Sequence, residues 1–473
     1  MITGLDTTTV SKPENVAKKV HIETWGCQMN VADSERMLAM LNKENYTLTD
    51  NADDADLVLL NTCHIREKAK HKVLSRLGKL REIRIANNPQ MKIAVTGCVA
   101  QAEGAKLLKS APGIDVLVGP GKLDELTHLI KKNASSGVAE MAIGFKKTGN
   151  IGKEDTTKIK AEFTPSLNGK NKVSRFVNIQ QGCNNYCTFC VVPYTRGREI
   201  SREPEAVIAE AAKLLSQGAT EITLLGQNVN SYGLDLVETG KIPATTNGPF
   251  VDLLSAISDL PEIHRVRFTT SNPHDFTKPL AKLFGSHPKM GRYIHLPVQS
   301  GHNEVLGRMK RKVTIAEYWE RINWLREQVP DIAISTDLIV GFPGETEEEF
   351  QGTLDLVEQV EFSFIFCFKY SPRNNTVAKR MADQVPEDVM NERLARLNAM
   401  QDKITIKQNL AEIGKIREVL VLYESPKYPG VYYGRTQHYR LVKVNSPNRN
   451  ITGKLIDVKI FQANKTAIEG SPI

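Results

Sequence analysis

The sequence predicts an α/β protein in three parts. These are an N-terminal parallel α/β domain, a central six-unit partial (β/α) barrel and a small C-terminal antiparallel β-barrel. Three observations predict it. A strand–turn–helix pattern recurs three times before residue 119, with a cysteine at the same place in each copy. Six apolar strands alternate with helical patterns from Phe176 onward. Beyond Leu410 the chain turns to short β-rich runs divided by Pro, Gly and Asn.

The first part is read as 19–135. Its three copies are His21–Cys27, Leu57–Cys63 and Ile93–Cys98, each an extended apolar run ending in a polar turn. A Lys-, Gly-, Thr- and Ser-rich stretch, 136–172, reads as a linker. The central part, 173–409, carries strands at Phe176–Gly182, Glu221–Gln227, Arg265–Ser271, Tyr293–Val298, Ala333–Val340 and Phe364–Tyr370. Helical patterns such as Glu205–Ser216, Thr314–Val329 and Glu347–Val360 separate them, and right-handed crossovers wind them into a partial barrel. Glu238–Pro249 reads as a surface insertion. The last part, 410–473, shows strands at Val419–Tyr423, Tyr432–Thr436, Tyr439–Val444 and Lys454–Phe461.

Composition excludes several classes. With 473 residues, 41% hydrophobic and 25% charged, the chain is a globular mixture of two or three domains. No apolar run reaches the roughly 18–20 residues of a membrane span. The polar start, with Lys12, Lys18 and Lys19, is no secretory signal, so a cytoplasmic location is expected. Seven cysteines, an odd number, argue for metal or redox chemistry over a disulfide framework. The net charge is +8, and residues 411–473 hold ten Lys/Arg against five Asp/Glu, which fits a polyanion partner or a plain solvated basic surface.

The sharpest motif is Cys183-Asn-Asn-Tyr-Cys187-Thr-Phe-Cys190, at the end of the first barrel strand. Three thiolates within eight residues suit a [4Fe–4S] cluster. A zinc site would want a fourth ligand, and no His or Cys lies just downstream. Three ligands leave one iron open to a substrate, and α/β folds gather their sites at the carboxyl ends of strands.

This Cys-x3-Cys-x-Phe-Cys motif, with Phe189 inside it, resembles the signature of radical S-adenosylmethionine (SAM) enzymes. The resemblance implies that the open iron chelates SAM, which an electron then cleaves to methionine and a 5′-deoxyadenosyl radical. The stretch from Gln180 to Cys183 and on through Val191-Val-Pro-Tyr-Thr-Arg196-Gly197 to Arg202 looks like the methylthiotransferase branch, over most of the chain from about residue 20. By the same resemblance Gln227, Asn228, Ser271 and Gln299, at successive strand ends, are candidate SAM contacts. Asp337 to Gly341 looks like the adenine-side wall. Arg196, Arg198 and Arg202 are candidates for a SAM carboxylate or RNA phosphate, with surface ion pairs as the alternative.

Cys27, Cys63 and Cys98 each follow a strand, so in a parallel sheet their turns share one edge. Three distant thiols can converge there on a second cluster. Methylthiotransferases resemble this layout and carry an auxiliary [4Fe–4S] cluster. The implied chemistry uses two SAM molecules, one as methyl donor and one as radical source. Cys367, in the aromatic run Phe364–Tyr370, reads as a small buried apolar side chain.

Two features point to RNA. Residues 65–84 form an amphipathic pattern with Ile65, Ala69, Val73, Leu77 and Leu80 on one face and eight Lys/Arg, Arg66 and Lys68 among them, starting just after Cys63. The C-terminal part sets Arg435, Arg440 and Lys443 among Tyr432, Tyr433 and Tyr439, a pattern for phosphate contact and base stacking. It resembles a TRAM domain.

Thr24–Asn30, Asn61–Ala69 and Gly97–Gln101 closely resemble the tRNA branch of the methylthiotransferases rather than the ribosomal-protein branch. The implied substrate is N6-isopentenyladenosine at position 37 of tRNA, methylthiolated at C2. An electron donor such as flavodoxin or ferredoxin, no membrane partner and a monomeric chain are expected. The alternatives are threonylcarbamoyl-adenosine tRNA, a ribosomal protein, a sulfur-inserting enzyme without methyl transfer, and a non-catalytic iron–sulfur RNA-binding protein.

Overall fold

The computed structural model describes residues 17–64, 67–145 and 173–473, and the side chains of 67–70 are not among those described. Six parallel strands form the N-terminal sheet: β1 (Lys18–Trp25), β2 (Tyr46–Leu48), β3 (Leu57–Thr62), β4 (Lys92–Gly97), β5 (Val116–Val118) and β6 (Glu140–Ala142), in the order β2-β1-β3-β4-β5-β6. Every residue of β3 is buried, as expected for a central parallel strand covered on both faces. Its alternate residues serve two cores. Leu57 and Leu59 pack with Met37, Leu38 and Leu41 of helix α1 (Gln28–Asn42). Val58 and Leu60 pack with Val73, Leu77 and Leu80 of α2 (Glu67–Ala86). The apolar face read from the sequence is therefore the buried one for those three residues, while Ile65 and the side chain of Ala69 lie outside the described residues. The linker reading needs a correction at its start, because Glu140–Ala142 pairs with β5 as the sixth strand. Three residues give too short a periodic signal to detect. Residues 146–172 lie outside the described set.

The central strands are β7 (Ser174–Asn178), β10 (Glu221–Leu225), β11 (Arg265–Thr269), β12 (Tyr293–His295), β13 (Ala333–Val340) and β14 (Phe364–Lys369). They fall in two parallel sheets, β7-β10-β11 and β12-β13-β14, joined by a parallel bridge between Val266 and Met290. The six follow chain order, and β7 and β14 are the free edges of an unclosed barrel. Between β7 and β10, β8 (Gln180–Gln181) and β9 (Ile200–Ser201) pair antiparallel and pinch the base of the loop 182–199. Glu238–Pro249 runs over the surface between two short helices, as expected. Cys367 is half-buried against the main core, as its apolar reading expects.

The 24-residue helix Glu387–Leu410 packs against the back of β14. Sequence periodicity misses it because polar side chains (Arg393, Gln401, Asn409) share its buried face with Leu397 and Ile404. It leads into a closed five-stranded barrel of β15 (Ile416–Glu424), β16 (Val431–Thr436), β17 (Leu441–Asn445), β18 (Leu455–Ala463) and β19 (Ile468–Pro472), ordered β15-β16-β17-β19-β18. The pairing is antiparallel except at the parallel seam β17–β19. The fifth strand, Ile-Glu-Gly-Ser-Pro, looks like a turn in sequence. Among the described residues no helix is long and apolar enough to cross a membrane.

Candidate active site: two cysteine triads

The loop 182–199 carries Cys183, Cys187 and Cys190 at the carboxyl end of the barrel. Gly182 sets its entry at φ +84°, and a Cβ there would lie 1.9 Å from the Arg198 carbonyl oxygen, so only glycine fits. The Cys183 N–H donates to Gly197 O (3.2 Å) and the Cys190 N–H to Cys187 O (3.0 Å). Thr188 anchors the loop across the barrel, its N–H donating to Met309 O and its hydroxyl to Arg308 O (2.9 Å). Phe189 stands edge-on to Phe342, with centroids 6.5 Å apart. Burial pushes the Cys183 thiol up to about 11 and the Cys190 thiol up to about 12. Such thiols stay protonated until a cation offsets their charge, which is the behaviour of ligands that ionise on metal binding. Asn185 Nδ2 and Arg311 Nη1 approach Cys183 and Cys187 sulfur, each at 3.6 Å. Among the described residues no group of three or more His, Cys, Asp or Glu side chains closes on a single-ion site. An iron–sulfur cube is a larger object than one ion, and the all-thiol donor set fits it.

The strand ends beside this loop hold several buried polar atoms without a protein partner. Gln227 accepts the Gly182 N–H through Oε1 (2.5 Å), which leaves its Nε2 without one. Asn228 donates to Asp275 Oδ2 (2.7 Å), and its Oδ1 is likewise orphaned, as is Ser271 Oγ. Orphaned buried groups mark a place where a polar ligand belongs. Gln299 holds φ +81°, a strained conformation for a side-chain-bearing residue, and its backbone bridges to β13. Asp337 lies 3.5 Å from His295 Nε2, and Gly341, at φ +71°, donates its N–H to Glu345 Oε2 (2.6 Å).

The second triad forms on the N-terminal sheet. Cys27 is the N-cap of α1, Cys63 follows β3, and Cys98 opens the short helix α3 (Cys98–Glu103) after β4. Three adjacent strands thus deliver three thiols to one edge. The Cys63 thiol donates to the Cys27 sulfur, and that bond, with nearby Arg196, draws the Cys27 thiol down to about 6. Burial pushes the Cys98 thiol up, against the pull of the nearby Arg196 charge. Asn30 and Asn61 brace the turn, with Asn30 Nδ2 donating to Asn61 Oδ1 (3.0 Å).

Arg196, a candidate for a ligand contact or a surface ion pair, forms an ion pair that is buried. It is 4% exposed and pairs with Asp33 of α1 at 2.7 Å. Burial opposes its charge, but Asp33, Cys98 and Cys27 outweigh that and hold the guanidinium above its ordinary range. One residue from the loop of the first triad therefore reaches into the second. Sequence reasoning missed this link, because Asp33 lies far from Arg196 along the chain. Arg202 is also buried, donating to Asn178 O (2.7 Å) and pairing with Glu210, while Arg198 is exposed.

The chain can be set beside known proteins. Residues 19–119 match the uncharacterized protein family UPF0004, 177–357 the radical SAM superfamily and 410–473 the TRAM domain. A Rickettsia felis protein named tRNA-2-methylthio-N(6)-dimethylallyladenosine synthase is 42% identical over 465 residues, covering 97% of this chain and all of that one. A Clostridium botulinum protein of the same name is 41% identical over 98% of this chain and 99% of its own. The chain belongs to the tRNA-2-methylthio-N(6)-dimethylallyladenosine synthase family. The fold is also that of a radical SAM methyltransferase from Kitasatospora setae solved with cobalamin and a [4Fe-4S] cluster, at TM-score 0.53 and 14% identity over 77% of this chain and 74% of the other.

In this synthase-family chain the TRAM barrel docks on the amino-terminal rim of the central barrel, opposite the cysteine loop. Arg265 and Arg267 donate to the Arg435, Thr436 and Gln437 carbonyls. Tyr439 stacks on Tyr293 with centroids 4.7 Å apart, and Arg435 lies 3.9 Å over the Tyr439 ring. Arg440 donates to Asn409 and Gln408, and Lys443 to Glu469 (2.9 Å). Arg435, Arg440 and Lys443, candidate RNA contacts from the sequence, thus each have a partner within the chain, and for Arg435 the cation–π pattern that suits RNA also suits a domain seam. Tyr432 is core, and Tyr433 stacks with Tyr423. Arg66 and the side chain of Lys68 lie outside the described residues.

Proposed function

We propose that the chain replaces the C2 hydrogen of N6-isopentenyladenosine at position 37 of tRNA with a methylthio group. The observation that carries the proposal is the pair of three-thiol sets, each at the carboxyl end of its own parallel sheet and linked by Arg196. When bound, a [4Fe–4S] cluster with SAM supplies the 5′-deoxyadenosyl radical, a second cluster presents the sulfur, and another SAM supplies the methyl group. In balance, one SAM would give methionine and 5′-deoxyadenosine, which carries off the C2 hydrogen, the other would give S-adenosylhomocysteine, the sulfur would come from the second cluster, and a donor such as flavodoxin or ferredoxin would supply the electrons.

The chain's own residues divide the work. Cys183, Cys187 and Cys190 hold the first cluster and Cys27, Cys63 and Cys98 the second. Gln227, Asn228, Ser271, Gln299, Asp337 and Gly341 line the SAM site, and Phe189 wedges the loop against the barrel. Arg66 and Lys68, beside Cys63, steer tRNA phosphate. The chain acts as a monomer in the cytoplasm, where its substrate is.

The test is anaerobic turnover with SAM, dithionite and isopentenylated tRNA, read by nucleoside mass spectrometry. Methylthio product from prenylated tRNA and none from unprenylated tRNA is the expected result. A Cys27/Cys63/Cys98→Ala triple variant is expected to make 5′-deoxyadenosine without methylthio product. Preferred turnover of threonylcarbamoyl-adenosine tRNA or a ribosomal peptide would overturn the substrate, and no 5′-deoxyadenosine from the unmodified protein would overturn the chemistry.

A further inference from the structure

Among the described residues β14 is a free edge of the central barrel, yet it is the most aromatic strand. Its register fixes which way each side chain points. Ser335 pairs with Phe364, Asp337 with Phe366 and Ile339 with Phe368. Ile365 and Cys367, in between, pack against the outer core that the helix Glu387–Leu410 covers. Phe364, Phe366 and Phe368 therefore share the inner face with Ser335, Asp337 and Ile339. Ring contacts agree. Phe366 meets His295 edge-on at 5.8 Å and Phe364 at 5.5 Å.

Two of these rings are exposed where exposure is costly. Phe366 is 45% and Phe368 38% solvent-exposed on that inner face. Exposed aromatic surface beside a candidate site suits an apolar ligand. The row is also continuous with known contacts at both ends. Phe364 stacks at 5.6 Å on Tyr293, which carries Tyr439 of the TRAM barrel. Phe368 faces Ile339, which joins Phe189 of the first cysteine loop in one apolar cluster. The row spans about 13 Å, four residues of strand. The other free edge, β7, is covered by the second triad's domain, where Cys27 and Met29 pack with Phe176 and Leu225. The barrel's gap thus has sulfur on one side and phenylalanine on the other.

We propose that Phe366 and Phe368 form the seat of the target nucleoside, stacking its purine and burying its N6 isopentenyl tail. This rests on the substrate reading above. A flat base suits an aromatic face, and a branched five-carbon tail suits exposed rings more than it suits water. The seat makes the prenyl group a binding requirement. A base lying on it has one face toward β14 and its free edge toward the thiols carried by the opposite domain.

The experiment is a double-mutant cycle between protein and RNA. Affinities of the cluster-loaded protein are measured for two anticodon stem-loops, one with isopentenyladenosine and one with adenosine at position 37. Unmodified protein is expected to prefer the prenylated RNA by tenfold or more. Phe366→Ala/Phe368→Ala is expected to lose most of that preference, with binding of the unprenylated loop within about twofold of the unmodified protein. Phe366→Leu/Phe368→Leu, which keeps apolar bulk, is expected to regain part of it. An unchanged preference in the Ala variant, or an equal loss for both RNAs, overturns the seat. If the unmodified protein shows no prenyl preference and no methylthio product, the substrate reading fails instead.

Discussion

Arg196 and Asp33 make a 2.7 Å ion pair across the seam between the two cysteine-bearing domains, both side chains almost wholly buried. Neither charge has water to fall back on, so each depends on the other. Arg196→Gln should destabilise the chain by about 3–5 kcal/mol, since it strands the Asp33 carboxylate. Asp33→Asn/Arg196→Gln together should cost less than Arg196→Gln alone. Denaturant unfolding of the three variants checks the order. A second readout is the electron paramagnetic resonance signal of the Cys27/Cys63/Cys98 cluster, which should shift in Arg196→Gln because a cation beside two of its ligands has gone.

Gly182→Ala should uncouple the first triad from the fold. The new Cβ collides with the Arg198 backbone, and φ +84° adds roughly 1–3 kcal/mol of strain. Iron per chain should fall toward half that of the unmodified protein. Full iron content in this variant would show that the loop tolerates another path.

Glu35 gives a pH dependence with a definite sign. Burial raises its carboxyl to about 7, against the weaker pull of Arg175 at 3.7 Å. In the unfolded chain it titrates near 4.5. Between those values the native state holds the proton more tightly, so stability falls as pH rises from about 4.5 to 7, by at most ~1.4 kcal/mol per pH unit. Glu35→Gln should flatten that part of the profile and stabilise the protein at pH 8. Unfolding midpoints at pH 5, 6, 7 and 8 decide it.

Tyr439→Ala should loosen the terminal barrel from the rim where Tyr293 and Arg267 hold it. The lost stacking and cation–π contacts amount to about 1–3 kcal/mol. RNA affinity should drop while iron content holds. Affinity of the unmodified protein should fall linearly with salt on logarithmic axes, as phosphate neutralisation requires.

Much of this was legible in the sequence, for physical reasons that differ by element. The six central strands were readable because short β-branched and apolar runs alternate with helical patterns, as Ala333–Val340 does with Glu347–Val360. The cysteine sets were readable because one is local and the other repeats at equivalent strand ends. Glu387–Leu410 was not, since a helix with arginine, glutamine and asparagine on its buried side carries no clean apolar stripe. Glu140–Ala142 and Ile468–Pro472 were too short or too rich in turn residues. The Arg196–Asp33 contact, 163 residues apart, has no trace in any local pattern. The C-terminal basic residues are ambiguous in sequence for another reason, since a guanidinium over an aromatic ring looks the same whether RNA or a neighbouring domain supplies the other side.

The helix Glu387–Leu410 ties the two rims of the central barrel together. Near its start Met390 lies against Gly341 at the reacting rim, and Arg393 grips Glu345 at 3.0 Å. At its far end Asn409 and Gln408 hold Arg440 of the terminal barrel. A helix of 24 residues is about 36 Å long and stiff. It works as a rod that fixes how far the terminal barrel stands from the Gly341 turn. One added turn would lengthen it by about 5.4 Å, and the Arg393–Glu345 and Arg440–Asn409 contacts at its two ends could then no longer both form.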